Sequence, residues 1–342
     1  MADPPRSERT CRDYRRRFRQ LARMAERRLG KGFSASAFAT LLIDQVRTQL
    51  SASSWRQYRS AVVFGLNEHR AARPQTARAI DEAIRRLQEA RACVQRGGRL
   101  RTSQQKTKKM PLPDLDAITR SVLAGPSPHR KTLADVLRAS DLAGLRPCEW
   151  PDAQLRASEA DGFKWEICVA SAKTTHGRSH GATRTLRFAD LDGATLSALT
   201  DWITVARKAG RGTREYERLL KTLRALMARH ARKRFPRRLR RPTLYTPRHQ
   251  AAARWKAFYI LAAATPEERE HGRAVVATLL GHANDETQSQ HYARPGAGDR
   301  GGSGLPIPAA DPREVARVIR RFERKWNQLQ SNRSSPAQPH SM

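Results

Sequence analysis

The sequence predicts a mainly α-helical protein with a small β-hairpin or sheet: a helical N-terminal module followed by an α+β domain. Three observations carry this expectation. Apolar residues recur at helical spacing through residues 1–95, and no strand pattern appears there. Residues 96–113 interrupt that periodicity with Gly97, Gly98, Ser103, six basic residues and no acid, the composition of a linker. Beyond them, helical stretches flank two alternating segments, Trp165 to Ala170 and Thr183 to Phe188. These are joined by a Gly-, Ser-, Thr- and His-rich run from Lys173 to Gly181 that reads as a hairpin loop. The expected division is therefore a helical module over 1–95, a basic linker over 96–113, an α+β domain over 114–330 and a disordered tail over 331–342. At 342 residues and 39% apolar content, such a chain can bury two cores.

Each element has a local reason. Arg12 to Leu29 places Phe18, Leu21, Met24 and Ala25 near helical spacing. Ser34 to Ser36 opens a second helix through Leu41, Leu42 and Val46, and Ser51 to Ser54 caps a third from Trp55 to His69. Pro74 opens a fourth that is expected to end near Gly97–Gly98. In the second domain, helices are expected over Asp114 to Leu123, Lys131 to Ala143, Ala194 to Lys208 and Arg214 to Arg232. Further helices follow over Arg248 to Ala264, Gly272 to Leu280 and Pro312 to Gln328. Trp150, Trp202 and Trp255 read as core, and Trp165 as the buried face of a strand. The tail beyond Ser331 is Ser-, Pro- and Gln-rich.

Charge sets the class of partner. Sixty-six Lys and Arg against thirty-two Asp and Glu leave a formal charge of +34. An extended positive field of this size is best matched by a nucleic acid. No apolar run is long enough for a membrane span, and the prolines and charges of Met1 to Thr10 do not read as a signal peptide. Cys11, Cys93, Cys148 and Cys168 are scattered, with neither a zinc spacing nor a disulfide framework, which fits a reduced, cytoplasmic protein. The chain has no Walker A loop, GxGxxG, HExxH or CxxC, so nucleotide-driven and structural-zinc chemistry lose their usual supports.

What remains is an ordered series of cations and hydroxyls. Asp141 to Glu149 reads DLAGLRPCE and holds Arg146; Lys173 begins the hairpin loop; Leu244 to Arg248 reads LYTPR; Leu279 to Arg294 reads LLGHANDETQSQHYAR. From Leu112 to Arg294 this series resembles the tyrosine recombinase (phage integrase) family. That family shares an arginine in a GLRxxE box, a hairpin lysine, an HxxR box, an LGH box and a final tyrosine. The helical module is similar, less specifically, to the family's core-binding domain.

The resemblance implies a site-specific recombinase that cuts and rejoins DNA through a 3′-phosphotyrosyl intermediate, with no metal, ATP or other cofactor. Tyr292 would be the nucleophile. Arg146 and Arg248 would hold the non-bridging phosphate oxygens through paired hydrogen bonds. Lys173 would protonate the leaving 5′-oxygen. His282 would hydrogen-bond the phosphoryl group or position the tyrosine, and Tyr245 occupies the place of the box histidine. The implied partners are double-stranded DNA, three further copies in a homotetramer on synapsed sites, and accessory DNA-bending or directionality proteins. The implied setting is a mobile element and a nucleoid-associated location. Arg96, Arg99, Arg101, Lys106, Lys108 and Lys109 in the linker, and Arg237, Arg238, Arg240 and Arg241 beside Pro236, are candidate DNA-backbone contacts.

Two departures from the pattern matter. Tyr245 cannot act as a base near neutral pH without a large shift. Tyr292 lies ten residues after His282, one beyond the family's spacing, so His291 stands at the nominal position. On a helix one residue turns a side chain by about 100°, so a bulge or loop is needed to present Tyr292. Two other readings share the same residues: a type IB topoisomerase-like monomer, and a DNA-binding accessory protein that kept the fold and lost cleavage.

Overall fold

The computed structural model describes residues 8–91, 107, 110–172, 181–282 and 304–334. The chain divides into two compact units, Met1–Arg101 and Thr102–Met342. Its described residues are mainly α-helical, with one small antiparallel sheet.

The first unit is built from α1 (Glu8–Leu29), α2 (Ala35–Leu41), α3 (Ala52–Ala72) and α4 (Ala77–Glu89). A π turn over Leu42–Val46 prolongs α2. Ser34 and Ser51 cap α2 and α3 by accepting the backbone N–H of Ala37 and Ser54, both at 3.1 Å. Leu21, Phe38, Leu42, Trp55, Val62, Ile80 and Leu87 form the core. Gly65 lets α1 approach α3, because a Cβ there would fall 2.3 Å from the Phe18 ring. The fourth helix stops at Glu89, short of the expected Gly97–Gly98. Ala90 turns out of the helix, and its carbonyl accepts the Trp55 indole N–H at 3.0 Å, so a contact from α3 sets the end.

The second unit opens with α5 (Leu112–Leu123) and α6 (Arg130–Ala143). The first of these begins two residues inside the stretch read as linker; Pro113 is tolerated in its first turn. A short 3₁₀ turn, Pro147–Asp152, leads into β1 (Gln154–Ala157), β2 (Trp165–Ala170) and β3 (Thr183–Phe188). Then follow α7 (Gly193–Ala209), α8 (Arg214–Arg234), α9 (Thr246–Lys256), α10 (Pro266–Leu280), β4 (Ala309–Ala310) and α11 (Pro312–Ser334). The strands lie in the order β1-β2-β3-β4, all antiparallel. Strands β2 and β3 have the expected bounds, and Val169 stands opposite Arg184 in their register. Leu133, Leu137, Trp150, Trp202 and Trp255 share one core with the buried residues of α10.

Nearly every residue of α10 from Ala274 to Leu280 is buried, as for a helix apolar on all sides. It starts earlier than the expected Gly272, because Thr265 and Glu268 form a capping box ahead of it. The expected helix from Arg248 to Ala264 is instead α9 followed by a π turn over Ala257–Leu261. The last helix runs past Gln328 to Ser334, which corrects the tail expected from 331; no proline interrupts it before Pro336. Residues 335–342 lie outside the described residues.

Candidate active site

The end of α10 organises the site. Gly281 adopts the left-handed conformation (φ +65°) that closes a helix. Its N–H donates to the Thr278 carbonyl and the His282 N–H to the Ala277 carbonyl, both at 2.9 Å. This paired turn fixes the backbone of His282, whose side chain is 4% exposed. The turn also leaves three successive carbonyls pointing away from the helix.

Each of those carbonyls meets a different guanidinium. Leu279 accepts from Arg184 Nε at 3.0 Å, Leu280 from Arg248 Nη2 at 2.9 Å, and Gly281 from Arg146 Nη2 at 3.4 Å. A cation at a helix C-terminus is favoured by the exposed carbonyl dipoles. Arg248, in the first turn of α9, also donates to the Gly144 carbonyl, just past the end of α6. Arg146 precedes the 3₁₀ turn, and Arg184 occupies an inward position of β3.

Glu149 sits among the three. Its carboxylate accepts Arg146 Nη1 at 2.6 Å, Arg184 Nη1 and Nη2 at 3.2 and 2.7 Å, and the Arg146 backbone N–H at 2.7 Å. Arg248 Nη1 lies 4.0 Å away. The Ala172 N–H reaches the same carboxylate at 3.4 Å, tying in the residue before Lys173. Burial opposes ionisation of Glu149, but Arg184 and Arg146 outweigh it and hold the carboxyl well below the usual carboxylate range. Three guanidiniums around one carboxylate leave a net positive cluster, suited to an anion.

Sequence reasoning placed Arg146, Arg248 and His282, and all three meet at this turn. Tyr245 stands just before α9, half-buried, with its ring edge-on to His249 at 5.2 Å. Lys173 and Tyr292 lie outside the described residues, as do Arg96, Arg99, Arg101, Lys106, Lys108 and Lys109. Lys164, a nearby lysine, ion-pairs with Asp190 at 2.9 Å.

Of the basic cluster, Arg238 stacks 4.0 Å over Phe235 and binds Asp114, while Arg241 donates to the carbonyls of Phe235 and Pro236. Those two side chains hold their own loop. Arg237 and Arg240 are exposed. Arg184 and the central role of Glu149 were missed. The alternation of β3, with Arg184, Leu186 and Phe188 on one face, is the signal that points to a buried arginine.

No family model and no curated sequence matches the chain. It resembles solved tyrosine recombinases. A lambda integrase tetramer bound to a Holliday junction is 14% identical with a TM-score of 0.46, covering 82% of this chain and 74% of that one. The XerH site-specific recombinase bound to a palindromic difH substrate is 15% identical at 0.44, covering 81% and 72%. The Tn1549 transposon integrase in complex with a circular intermediate DNA is 14% identical at 0.37, covering 83% and 95%. Likenesses at these values transfer no residue roles to this chain.

The turn itself is testable. A Cβ at Gly281 would lie 2.7 Å from Arg184 Nη1 and 3.3 Å from Arg146 Nη1, on a backbone that disfavours side chains. Gly281→Ala is expected to cost roughly 1–3 kcal/mol in stability, read as a lower denaturant midpoint. An unchanged midpoint would mean that the arginines do not depend on the turn.

Proposed function

We propose that the chain cuts and rejoins DNA strands through a covalent link to Tyr292, as a site-specific recombinase. The observation that carries this reading is the meeting of Arg146 and Arg248 at the turn that fixes His282. These residues come from stretches more than a hundred positions apart, yet their guanidiniums surround one carboxylate and one helix end. A phosphodiester undergoing attack gathers charge on its non-bridging oxygens, and preorganised donors stabilise that charge. Arg146 commits one N–H to Glu149 and one, at 3.4 Å, to Gly281, which leaves other N–H groups for a phosphate oxygen. Glu149 and Arg184 are positioning residues that hold the cluster rigid.

In the proposed reaction the Tyr292 hydroxyl gives up its proton to water, its oxygen bonds to phosphorus, and the bond from phosphorus to the 5′-oxygen breaks. Lys173 protonates that oxygen. The phosphotyrosyl bond conserves the energy of the broken diester, so a 5′-hydroxyl from another strand can reverse the step and release Tyr292 without ATP. Double-stranded DNA is the substrate, four copies form the working assembly on synapsed sites, and the setting is a mobile element in the cytoplasm. DNA-bending or directionality factors would act with them.

A second reading has its own support. Arg248 donates to the carbonyls of both Gly144 and Leu280, a role that a DNA-binding protein without cleavage also needs. A nicked suicide duplex separates the two. Tyr292→Phe is expected to keep duplex affinity within about threefold, roughly 0.7 kcal/mol, and to lose every covalent adduct. An adduct yield equal to that of the unaltered chain would rule out this nucleophile.

A further inference from the structure

We infer that Arg254, together with Asp141, is a positioning residue for Arg248: it fixes the end of α6, whose Gly144 carbonyl in turn fixes the Arg248 guanidinium. Only its consequence in strand cleavage rests on the proposed reading. Arg254 lies in the last turn of α9 and Asp141 in the last turn of α6. One guanidinium takes both the side chain and the main chain of Asp141. Nη1 donates to the carboxylate Oδ1 at 3.1 Å and Nη2 to the backbone carbonyl at 2.5 Å. That carbonyl is among the last four of the helix, which the helix itself leaves without a partner. Asp141 is buried and the Arg254 side chain largely so. Burial pushes the Asp141 carboxyl up, and Arg254 opposes that shift.

The path from this pair to the site is short. Just past Asp141, Gly144 turns left-handed (φ +57°) and presents its carbonyl to Arg248 Nη1. Arg248 belongs to the first turn of α9 and Arg254 to its last, so the two helices are tied at two points. Between those points a Cβ at Gly144 would fall 2.7 Å from the Trp255 ring and 3.2 Å from the Ala251 Cβ, so the turn rests directly on α9. A slip of the α6 end along α9 would carry the Gly144 carbonyl away from Arg248, and the neighbouring Arg146 would move with it. Packing alone does not call for an ion pair here, because well-packed apolar residues often stabilise a buried contact as well or better. What the pair supplies is direction. The planar fork of Arg254 holds a carbonyl and a carboxylate oxygen at a fixed separation, which a lysine ammonium does not.

A double-variant cycle on the full chain tests the pair. Cleavage is read in a single turnover on a saturating nicked suicide duplex, well below the unfolding midpoint of each variant. Arg254→Gln is expected to slow it by about 10- to 100-fold, the scale for a misplaced group. Duplex affinity should stay within about threefold. Arg254→Lys should recover part of the rate, since it keeps a cation beside Asp141. In an Arg248→Lys background, Arg254→Gln should cost little more, because its effect passes through Arg248. Lys131→Gln removes an exposed lysine bound to Asp135 and Asp201 at the other end of α6, and should leave the rate unchanged.

A folded Arg254→Gln chain that cleaves at the normal rate overturns the positioning role, as do losses that multiply in the double variant. A second measurement reads Arg248 without cleavage. In proton–nitrogen correlation spectra its guanidinium signals are those lost in Arg248→Lys. Their Nη1 protons should exchange with water faster in Arg254→Gln than in the unaltered chain, and an unchanged exchange rate overturns the clamp. Faster exchange in a chain that never forms a covalent adduct supports the clamp and counts only against the recombinase reading.

Discussion

Glu149→Gln is expected to destabilise the second unit by about 3–5 kcal/mol, the scale for breaking a buried ion pair on one side. The reason is the asymmetry of what remains. Arg184 is wholly buried and donates two hydrogen bonds to this carboxylate and one to the Leu279 carbonyl. Arg146 reaches Oε1 through Nη1 and Oε2 through its backbone N–H, so the amide, which keeps one acceptor oxygen, would leave one of these two donors facing an NH2 group.

The pH dependence identifies the cause. The folded carboxyl of Glu149 is held below its unfolded value of about 4.3. Its contribution is therefore fully present above pH ~4.3 and is lost as pH falls from there toward the folded value. Denaturant titrations of the two proteins should differ most at neutral pH and converge below pH ~4. A difference that stays constant through the acid range would assign the loss to packing rather than to charge.

Arg146→Lys is expected to lower strand cleavage by about 10²–10³-fold, the scale for losing one preorganised donor to a charged transition state. Lysine keeps a cation near Glu149, so the fold and duplex affinity should largely survive. It lacks the planar fork that can hold Glu149 with one edge and a phosphate oxygen with the other. Single-turnover cleavage beside equilibrium binding separates these effects. A lysine variant that cleaves at the normal rate would remove Arg146 from the chemistry and leave it a structural partner of Glu149.

Much of this arrangement is legible in the sequence because it depends on local rules. A glycine after an apolar helix predicts the left-handed cap at Gly281, and the boxes around Arg146 and Arg248 place both near helix boundaries. The strands β2 and β3 follow from simple alternation. What sequence reasoning missed is non-local. The alternation of β3 marks Arg184 as inward, yet only the folded chain brings it to Glu149 and Leu279, thirty-five and ninety-five positions away. The two-residue strand β4 exists only by pairing with Leu186 and Arg187. The end of α4 is likewise fixed by Trp55 from another helix rather than by the glycines that follow.

Where DNA becomes attached is the most direct test. An adduct trapped on a nicked duplex, digested with nuclease and protease and read by mass spectrometry, should carry its nucleotide remnant on Tyr292. A remnant on His291 or Tyr245, or DNA bound tightly with no covalent remnant on any residue, would contradict the proposed chemistry.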